Sequence, residues 1–326
     1  MKAFKGILLT VAMVAMLATS AFADEKIKIA LVIPSTIDDL AWSQAMYEGI
    51  KGAQAELGED KLSFEVSERL WNAVDAGAAI RQYAMKGFNI IIAHGAQYQS
   101  LLAEIATDFP KTSFAYGTGF NTPEANIFAY DPHAQEGAYL LGILAGYATK
   151  SNIIGLVGPI AAGDAIKYNK GFEQGAKSVN KDVKVRIAYT GSFGDMVAAG
   201  EIARTHIKAG ADVLTGTSQQ TVGAINVVAE KEGLYWLSSD MDQKSIAPNT
   251  VLAAQAYNFK QVVMEMIQSR AKGVMGGKHL ELSLANGGLI MMLNDNIIDD
   301  IPAEAVSAMN SAKEKIINGT LKVELK

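Results

Sequence analysis

Two pairs of closely spaced aspartates are the residues of this chain that could most readily do chemistry. Asp38 and Asp39 are adjacent, and Asp240 and Asp242 are separated by one residue. Two carboxylates in one site can act as general acid and general base, so a hydrolytic site is one interpretation. Aspartates also favour turns and helix starts, because their oxygens accept backbone hydrogen bonds. We favour the second interpretation, in which these carboxylates are acceptors for a ligand or for a helix start.

Other motifs of catalytic, metal and nucleotide sites are missing from the sequence. It has no Walker-type glycine loop, and Gly117-Thr118-Gly119 lacks the third glycine of a dinucleotide fingerprint. The four histidines lie far apart and form no His-x-x-x-His pair, and no Gly-x-Ser-x-Gly elbow is present. We therefore expect a protein that is not an enzyme and that needs no cofactor and no metal.

The first residues have the layout of a cleavable secretory signal. Two lysines precede an apolar run over residues 7–17, and the segment ends in the small residues of Ala21-Phe22-Ala23. The run is shorter than the ~20 apolar residues of a membrane-spanning helix. We predict a signal peptide over residues 1–23, cleaved after Ala23. Because the chain has no cysteine, it has no lipid-acceptor Cys at that point, and we expect a soluble protein in the periplasm.

Length and charge bound the rest of the molecule. Roughly 300 residues follow the predicted signal, which is more than one hydrophobic core usually organises, so we expect two lobes. The net charge of −5 comes from interspersed charges without a basic cluster. This pattern argues against nucleic acid or an anionic membrane surface as a partner.

The pattern of strand, turn and helix repeats along the chain. Predicted strands cover residues 27–33, 64–67, 89–93, 113–116, 152–157, 183–189, 213–216, 235–238, 251–256 and 289–293. Predicted helices cover residues 42–57, 73–86, 98–109, 137–149, 165–179, 196–208, 222–232, 259–272 and 303–318. Such alternation predicts an α/β protein with parallel sheets covered by helices on both faces.

Ligands of such sheets bind beyond the carboxyl ends of the strands, where loops and helix starts converge. The loops that follow predicted strands are therefore the first place to look for a site. They are residues 34–41, 94–97, 117–121, 191–195, 216–220 and 239–243.

Five segments spread along nearly the whole chain match, in order, those of a known protein family. The first is Asp38-Asp39-Leu40-Ala41-Trp42-Ser43-Gln44, with Glu48-Gly49 one turn later. The others are residues 139–142 with 150–155, 171–177, 210–214 and 240–243. On these residues the chain resembles the basic membrane protein (BMP), or purine nucleoside receptor, family of ABC-transporter substrate-binding proteins.

The resemblance implies a type I periplasmic-binding-protein fold, with two doubly wound lobes joined by three crossings. We place the crossings near residues 130–132, 253–258 and 285–289. Lobe I then comprises residues 24–130 plus 257–286, and lobe II comprises residues 131–256 plus 287–326.

The resemblance also implies a function. We expect a monomer that captures a purine base or purine nucleoside and delivers it to the membrane permease and ATPase subunits of an ABC importer. A sugar-binding receptor of the same fold is the alternative specificity. A secreted nucleoside hydrolase-like enzyme is the alternative from another class.

Two aromatic residues match the family positions that hold a purine between rings, one from each lobe. They are Trp42, whose alternative place is the core, and Phe193. Ser43 stands where the family commonly has Asn. Asp131 is expected to accept from a purine N–H, or else to cap a helix or brace the first crossing.

The ribose side of the site departs from the family. One of Asp240 and Asp242 is expected to bind ribose hydroxyls, but the family lysine on the second crossing strand is replaced in the run Ala254-Gln255-Ala256-Tyr257-Asn258. We expect a site trimmed to a free base, unless Tyr257 faces the core and ribose finds other donors. The full set of expected ligand-binding residues is Trp42, Ser43, Asp39, His94, Gly95, Asp131, Phe193, Gly216, Asp240, Asp242, Tyr257 and Asn258.

Overall fold

The computed structural model of the protein describes residues 26–325, and the predicted signal peptide lies outside the described residues. The described chain forms twelve strands and nine α-helices. None of these helices is long and apolar enough to cross a membrane.

The twelve strands follow the predicted order with two additions. They are β1 (Ile27–Val32), β2 (Leu62–Ser67), β3 (Ile90–Ala93), β4 (Ser113–Gly117), β5 (Ile127–Pro132), β6 (Ile153–Gly158), β7 (Lys184–Tyr189), β8 (Val213–Gly216), β9 (Tyr235–Ser238), β10 (Val251–Tyr257), β11 (Lys278–Leu282) and β12 (Leu289–Leu293). Sequence analysis missed β5 and β11. The last three residues of β5, which end in Pro132, fall in the predicted first crossing. The alternating Lys278-His279-Leu280-Glu281-Leu282 has the weak apolar signal of an edge strand.

The nine helices agree with the prediction to within a few residues at each end. They are α1 (Trp42–Leu57), α2 (Ala73–Met85), α3 (Gln99–Ala106), α4 (Ala134–Ala148), α5 (Gly163–Val179), α6 (Met196–Lys208), α7 (Thr221–Ala229), α8 (Phe259–Ala271) and α9 (Ala303–Ile317). Single 3₁₀ turns cover Ala96–Tyr98 and Ile298–Asp300.

The strands form two six-stranded sheets. The first has the order β11-β5-β4-β3-β1-β2, and the second has the order β12-β10-β9-β8-β6-β7. Every neighbouring pair is parallel except β10 and β12, which pair antiparallel. The prediction of an α/β fold with parallel sheets is confirmed.

The chain passes from one sheet to the other three times: between β5 and β6, between β10 and β11, and between β11 and β12. The whole of β10 belongs to the second sheet. The exact residues at which the chain divides into lobes stay a prediction.

Central strands are mostly buried, because helices cover both faces of each sheet. All four residues of β3 are buried, as are the last four of β1. Helix α4, which follows the first passage between sheets, is buried along almost its whole length. A helix that is apolar on every side is one enclosed by other elements.

Helices α4 and α5 approach each other at backbone distance. A Cβ at Gly175 would overlap the carbonyl oxygen of Tyr139, and one at Gly142 would overlap that of Phe172. Only glycine allows two helix backbones to lie this close. The contact fixes the position of α5, whose first turn lies at the site described below.

We expect Gly175→Ala to lower the free energy of unfolding by ~1–3 kcal/mol, because the methyl group forces the two helices apart. Urea unfolding followed by circular dichroism measures the change. Gly52→Ala in α1 is the control, since its Cβ would meet only the flexible side chain of Lys260, at 3.2 Å and beyond. Alanine there favours the helix by up to ~1 kcal/mol. Equal unfolding energies for Gly175→Ala and the wild type would show that the contact is not tight.

Candidate functional site

A cavity of about 330 Å³ lies between the carboxyl edges of the two sheets. Each of the six loops predicted from the sequence contributes a lining residue, as with Pro34, Thr118 and Asp240. The loop after β6 and the start of α5 also line the cavity, and sequence analysis had not selected them. Loops distant in the chain therefore meet in one place.

Three lining residues have a strained backbone. Thr118, Ser218 and Asp240 have φ angles of 57°, 74° and 71°. This left-handed region is costly for residues other than glycine, and such strain is concentrated at functional sites. All three residues lie just after the carboxyl end of a strand.

Trp42 is held at the cavity by His94. The two rings stack with centroids 4.2 Å apart and an interplanar angle of 8°. The indole Nε1 donates to the carbonyl oxygen of His94 at 3.2 Å, and His94 Nε2 lies 2.8 Å from the carbonyl oxygen of Trp42. Because a carbonyl only accepts, Nε2 carries the proton, and Tyr130 donates to Nδ1 at 2.5 Å. Burial lowers the pKa of His94 to about 3, so the imidazole is neutral.

Trp71 and Phe193 form a ring pair between loops that follow opposite sheets. Their centroids are 6.1 Å apart, with an angle of 33° between the planes. Both rings line the cavity, and 48% of Trp71 is exposed. Trp71 was missed in the sequence because it belongs to no motif. Its place shortly after the carboxyl end of β2 is the signal that could have found it.

Two loops also meet through a polar contact. Gln243 Nε2 donates to the carbonyl oxygen of Leu40 at 2.8 Å. Leu40 precedes α1 beside the first sheet, and Gln243 follows β9 of the second. Together with the ring pair, this bond joins the two sides of the cavity.

Asp240 is a buried carboxyl on the cavity wall, with 5% of the residue exposed. Burial raises its pKa to about 7, and the negative charge of Asp39 adds to the rise. Asp242 lies outside the cavity lining and pairs with Lys244 at 3.3 Å. Of the two aspartates left open in the sequence, Asp240 is the one at the cavity.

Lys167 holds two carboxylates together beside the cavity. Its Nζ lies 2.6 and 2.7 Å from the two oxygens of Asp131, and 3.0 Å from Asp164 Oδ1. Asp131 is in β5 of the first sheet, whereas Lys167 and Asp164 belong to α5. Asp164 lines the cavity and Asp131 does not. Burial raises the pKa of Asp164 to about 6, against the opposing effect of Lys167.

Asp39 serves the start of α1. Its carboxylate accepts from the backbone N–H groups of Ala41, Ser43 and Gln44 at 3.0–3.2 Å. Burial raises its pKa against these hydrogen bonds. The helix-start interpretation of the first acidic pair therefore describes what Asp39 contacts.

Six of the twelve expected residues line the cavity: Trp42, His94, Gly95, Phe193, Asp240 and Tyr257. The other six do not line it: Asp39, Ser43, Asp131, Gly216, Asp242 and Asn258. Ser43 is fully buried, Gly216 lies against the backbone of Val157, and the Asn258 amide donates to Gly287. For these six a contact with ligand stays a prediction without geometric support.

No metal-binding cluster is present within residues 26–325. No group of three or more His, Cys, Asp or Glu side chains in this range is placed to hold an ion.

The sequence is similar to those of substrate-binding proteins of ABC transporters. Residues 26–325 match the family model described as ABC transporter substrate-binding protein PnrA-like. A purine-binding protein of Brucella abortus is 26% identical over 286 residues, covering 88% of this chain and 81% of the relative. An ABC transporter nucleoside-binding protein of Lactococcus lactis is 26% identical and covers 94% of this chain and 92% of the relative.

Solved structures share the fold. A solute-binding protein of an ABC transporter system from Aeropyrum pernix superposes with a TM-score of 0.79 at 21% identity, covering 91% of this chain and 92% of that chain. One from Conexibacter woesei gives a TM-score of 0.77 at 20% identity, covering 91% of this chain and 98% of that chain.

We expect Asp240→Asn to stabilise the protein without ligand, and more so as pH rises. The folded protein holds this carboxyl at a pKa of about 7, above the usual 3.8, so it binds the proton more tightly than the unfolded chain does. That stabilisation is lost between pH ~4 and pH ~7, leaving a buried charge that costs roughly 1–4 kcal/mol at pH 8. Asparagine removes the charge and tolerates the left-handed backbone.

Urea unfolding at pH 4.5 and pH 8 measures this difference. Asp182→Asn, at an exposed position, gives the baseline for the loss of one carboxylate. A gain from Asp240→Asn that is no larger at pH 8 than at pH 4.5 would contradict the prediction.

Proposed function

Because the chain belongs to the family of PnrA-like ABC transporter substrate-binding proteins, as its sequence resemblance predicted, we propose that its ligand is a purine base or purine nucleoside. The bound purine is then delivered to a membrane permease powered by ATPase subunits. The protein changes the ligand's surroundings and not its covalent structure. The names of the relatives from Brucella abortus and Lactococcus lactis support a ligand of this kind.

One observation carries the proposal: the cavity combines aromatic rings with carboxyl groups on its walls. The rings of Trp42, Trp71, Phe193 and Tyr257 line it, as do Asp164 and Asp240. Stacking on an aromatic ring contributes ~1–3 kcal/mol per base. Carboxyl oxygens accept from ring N–H groups or from ribose hydroxyls. A planar heterocycle with polar edges matches both features.

Capture requires that ligand contacts both walls. A ligand that binds residues after both sheets favours the closed arrangement in proportion to its greater affinity for it. The Trp71–Phe193 ring pair and the bond from Gln243 to Leu40 stabilise the same arrangement. The closed shape is what a permease would recognise.

Tyr257 is the residue that favours a free base over a nucleoside. Its ring lines the cavity and lies edge-on to Trp42, with centroids 5.9 Å apart. Its hydroxyl accepts from Gln255 Nε2 at 3.3 Å. A phenol cannot replace the three donors of an ammonium group, and its ring occupies space that a ribose would need.

A ligand panel tests the proposal. We expect adenine, guanine, hypoxanthine or xanthine to raise the melting temperature, to compact the protein in solution scattering, and to be recovered unchanged by mass spectrometry. We also expect the free base to bind at least as tightly as its nucleoside in competition titrations. Pyrimidines, sugars and amino acids complete the panel.

Each outcome of the panel has its own meaning. Stabilisation by sugars alone would favour the sugar receptor, and a chemically altered ligand would favour the hydrolase-like enzyme. A tenfold or larger preference for nucleosides, ~1.4 kcal/mol, would contradict the role given to Tyr257.

Trp71→Ala tests the stacking contribution with little disturbance of the fold, since the side chain is half exposed. We expect binding of the preferred purine to weaken by ~1–3 kcal/mol, because the ring face is lost. Calorimetric titration measures this. Phe120→Ala is the matched control, as Phe120 is 69% exposed and lies outside the cavity lining. Unchanged affinity in Trp71→Ala would remove Trp71 from the site.

A further inference from the structure

Two buried polar atoms without a hydrogen-bond partner belong to residues that line the cavity. They are Asp164 Oδ2 and Thr217 Oγ1. Buried polar atoms nearly always have a partner, so an unpaired one at a cavity wall calls for an explanation. A bound ligand is the natural source of the missing partner. The hydroxyl of Thr217 can donate or accept, so it does not distinguish ligand donors from ligand acceptors. A carboxylate only accepts, so it selects ligand donors.

Asp164 is held as an oriented carboxylate. Lys167 Nζ lies 3.0 Å from Oδ1 and also binds both oxygens of Asp131, at 2.6 and 2.7 Å. Burial raises the pKa of Asp164 to about 6 while Lys167 opposes the rise, so the group is ionised at pH 7.5. Oδ2 remains free, and Oδ1 retains a lone pair. Among the described residues that line the cavity, none is a lysine or an arginine.

The hydrogen-bond donors on the edge of each purine decide which ring binds the Asp164 carboxylate best. An ionised carboxylate accepts best from two adjacent N–H groups, and hydrogen bonds to a charged acceptor are the stronger ones. Guanine presents that edge, with its ring N–H beside its 2-amino group. In hypoxanthine the same ring N–H has no amino neighbour, and in adenine the amino group lies beside ring nitrogens that carry lone pairs. Lone pairs facing a carboxylate repel it.

We propose that Asp164 is a specificity-determining residue, whose carboxylate accepts from two adjacent N–H groups of the ring and so selects a 2-amino-6-oxopurine. This inference rests on the proposed function, since it requires a purine in the cavity. A site built to bind an N–H group discriminates against the analogue that lacks it, because the buried acceptor is then left unpaired.

Guanine and hypoxanthine test the inference, because they differ only by the 2-amino group. We expect the wild type to bind guanine at least tenfold more tightly than hypoxanthine in competition titrations at pH 7.5, and guanosine more tightly than inosine. In Asp164→Asn one carboxylate oxygen becomes an N–H donor that faces the ring donors. The guanine preference should then fall below threefold.

Glu173→Gln is the matched control. Glu173 lies on the same helix and, like Asp164, pairs with a lysine, Lys177 at 2.6 Å, but it lies outside the cavity lining. Loss of this carboxylate should leave the guanine preference unchanged. Melting curves establish that each variant is folded, and Asp164→Ala replaces the asparagine variant if that one does not fold.

The outcomes separate the two proposals. Equal affinity of the wild type for guanine and hypoxanthine would overturn the role of Asp164 and leave the proposed function standing. A guanine preference that persists in a folded Asp164 variant would do the same. Absence of binding by any purine would overturn both.

Discussion

The direction of parallel strands is the constraint on which this protein depends. Strands that run the same way all end at the same edge of a sheet, and here the carboxyl edges of two sheets border one cavity. Loops more than 100 residues apart in the chain, such as those of Pro34 and Asp240, therefore line the same cavity. The close backbone contact of α4 and α5 supports this arrangement, since α5 carries Asp164 and Lys167 to the cavity.

The described carboxylates at and beside the cavity outnumber the one lysine that contacts them. Lys167 contacts Asp131 and Asp164, and by joining β5 to α5 it also links elements of the two sheets. Asp240 has no lysine partner; burial raises the pKa of its carboxyl, while hydrogen bonds from the Ser218 backbone and the Ser239 side chain oppose the rise. Asp164 Oδ2 is the carboxyl oxygen of the cavity wall without a hydrogen-bond partner among the described residues, so a ligand N–H or hydroxyl in the proposed complex would offset the cost of burying it. The carboxyl groups of the cavity wall thus match the N–H and hydroxyl donors of the proposed ligand.

The aromatic residues at the cavity make two kinds of contact, one within the side of the first sheet and one between the two sides. Trp42 is stacked on a neutral His94 and bonded to its backbone on the side of the first sheet, and its ring also meets Tyr257 of β10 edge-on. Trp71 and Phe193 meet only where the two sides of the cavity come together. The Trp71–Phe193 pair therefore joins the two sides of the cavity in this arrangement.

Local information in the chain was enough for the fold class and for all the α-helices and strands except β5 and β11. Helix α1 was predicted at its observed bounds, because its apolar spacing and the preceding Asp39 are signals within a few residues. Six of the loops that line the cavity followed from the same reasoning, since a strand's carboxyl end is visible in sequence, but the loops after β2 and β6 did not. Edge strand β11 was not predicted, because its alternating charged and apolar residues resemble those of many loops.

Which side chain of each loop reaches the cavity was decided by tertiary structure alone. Asp39 and Asp131 look like ligand acceptors in the sequence, yet one is occupied by the backbone of α1 and the other by Lys167, which is 36 residues away. Trp71 and Asp164 carry no motif and became visible only as lining residues. The sequence by itself determined the fold class, most of the elements and their order, and six of the loops at the carboxyl edges. The tertiary structure decided which polar groups are already paired, because partners distant in the chain are chosen by packing and not by spacing.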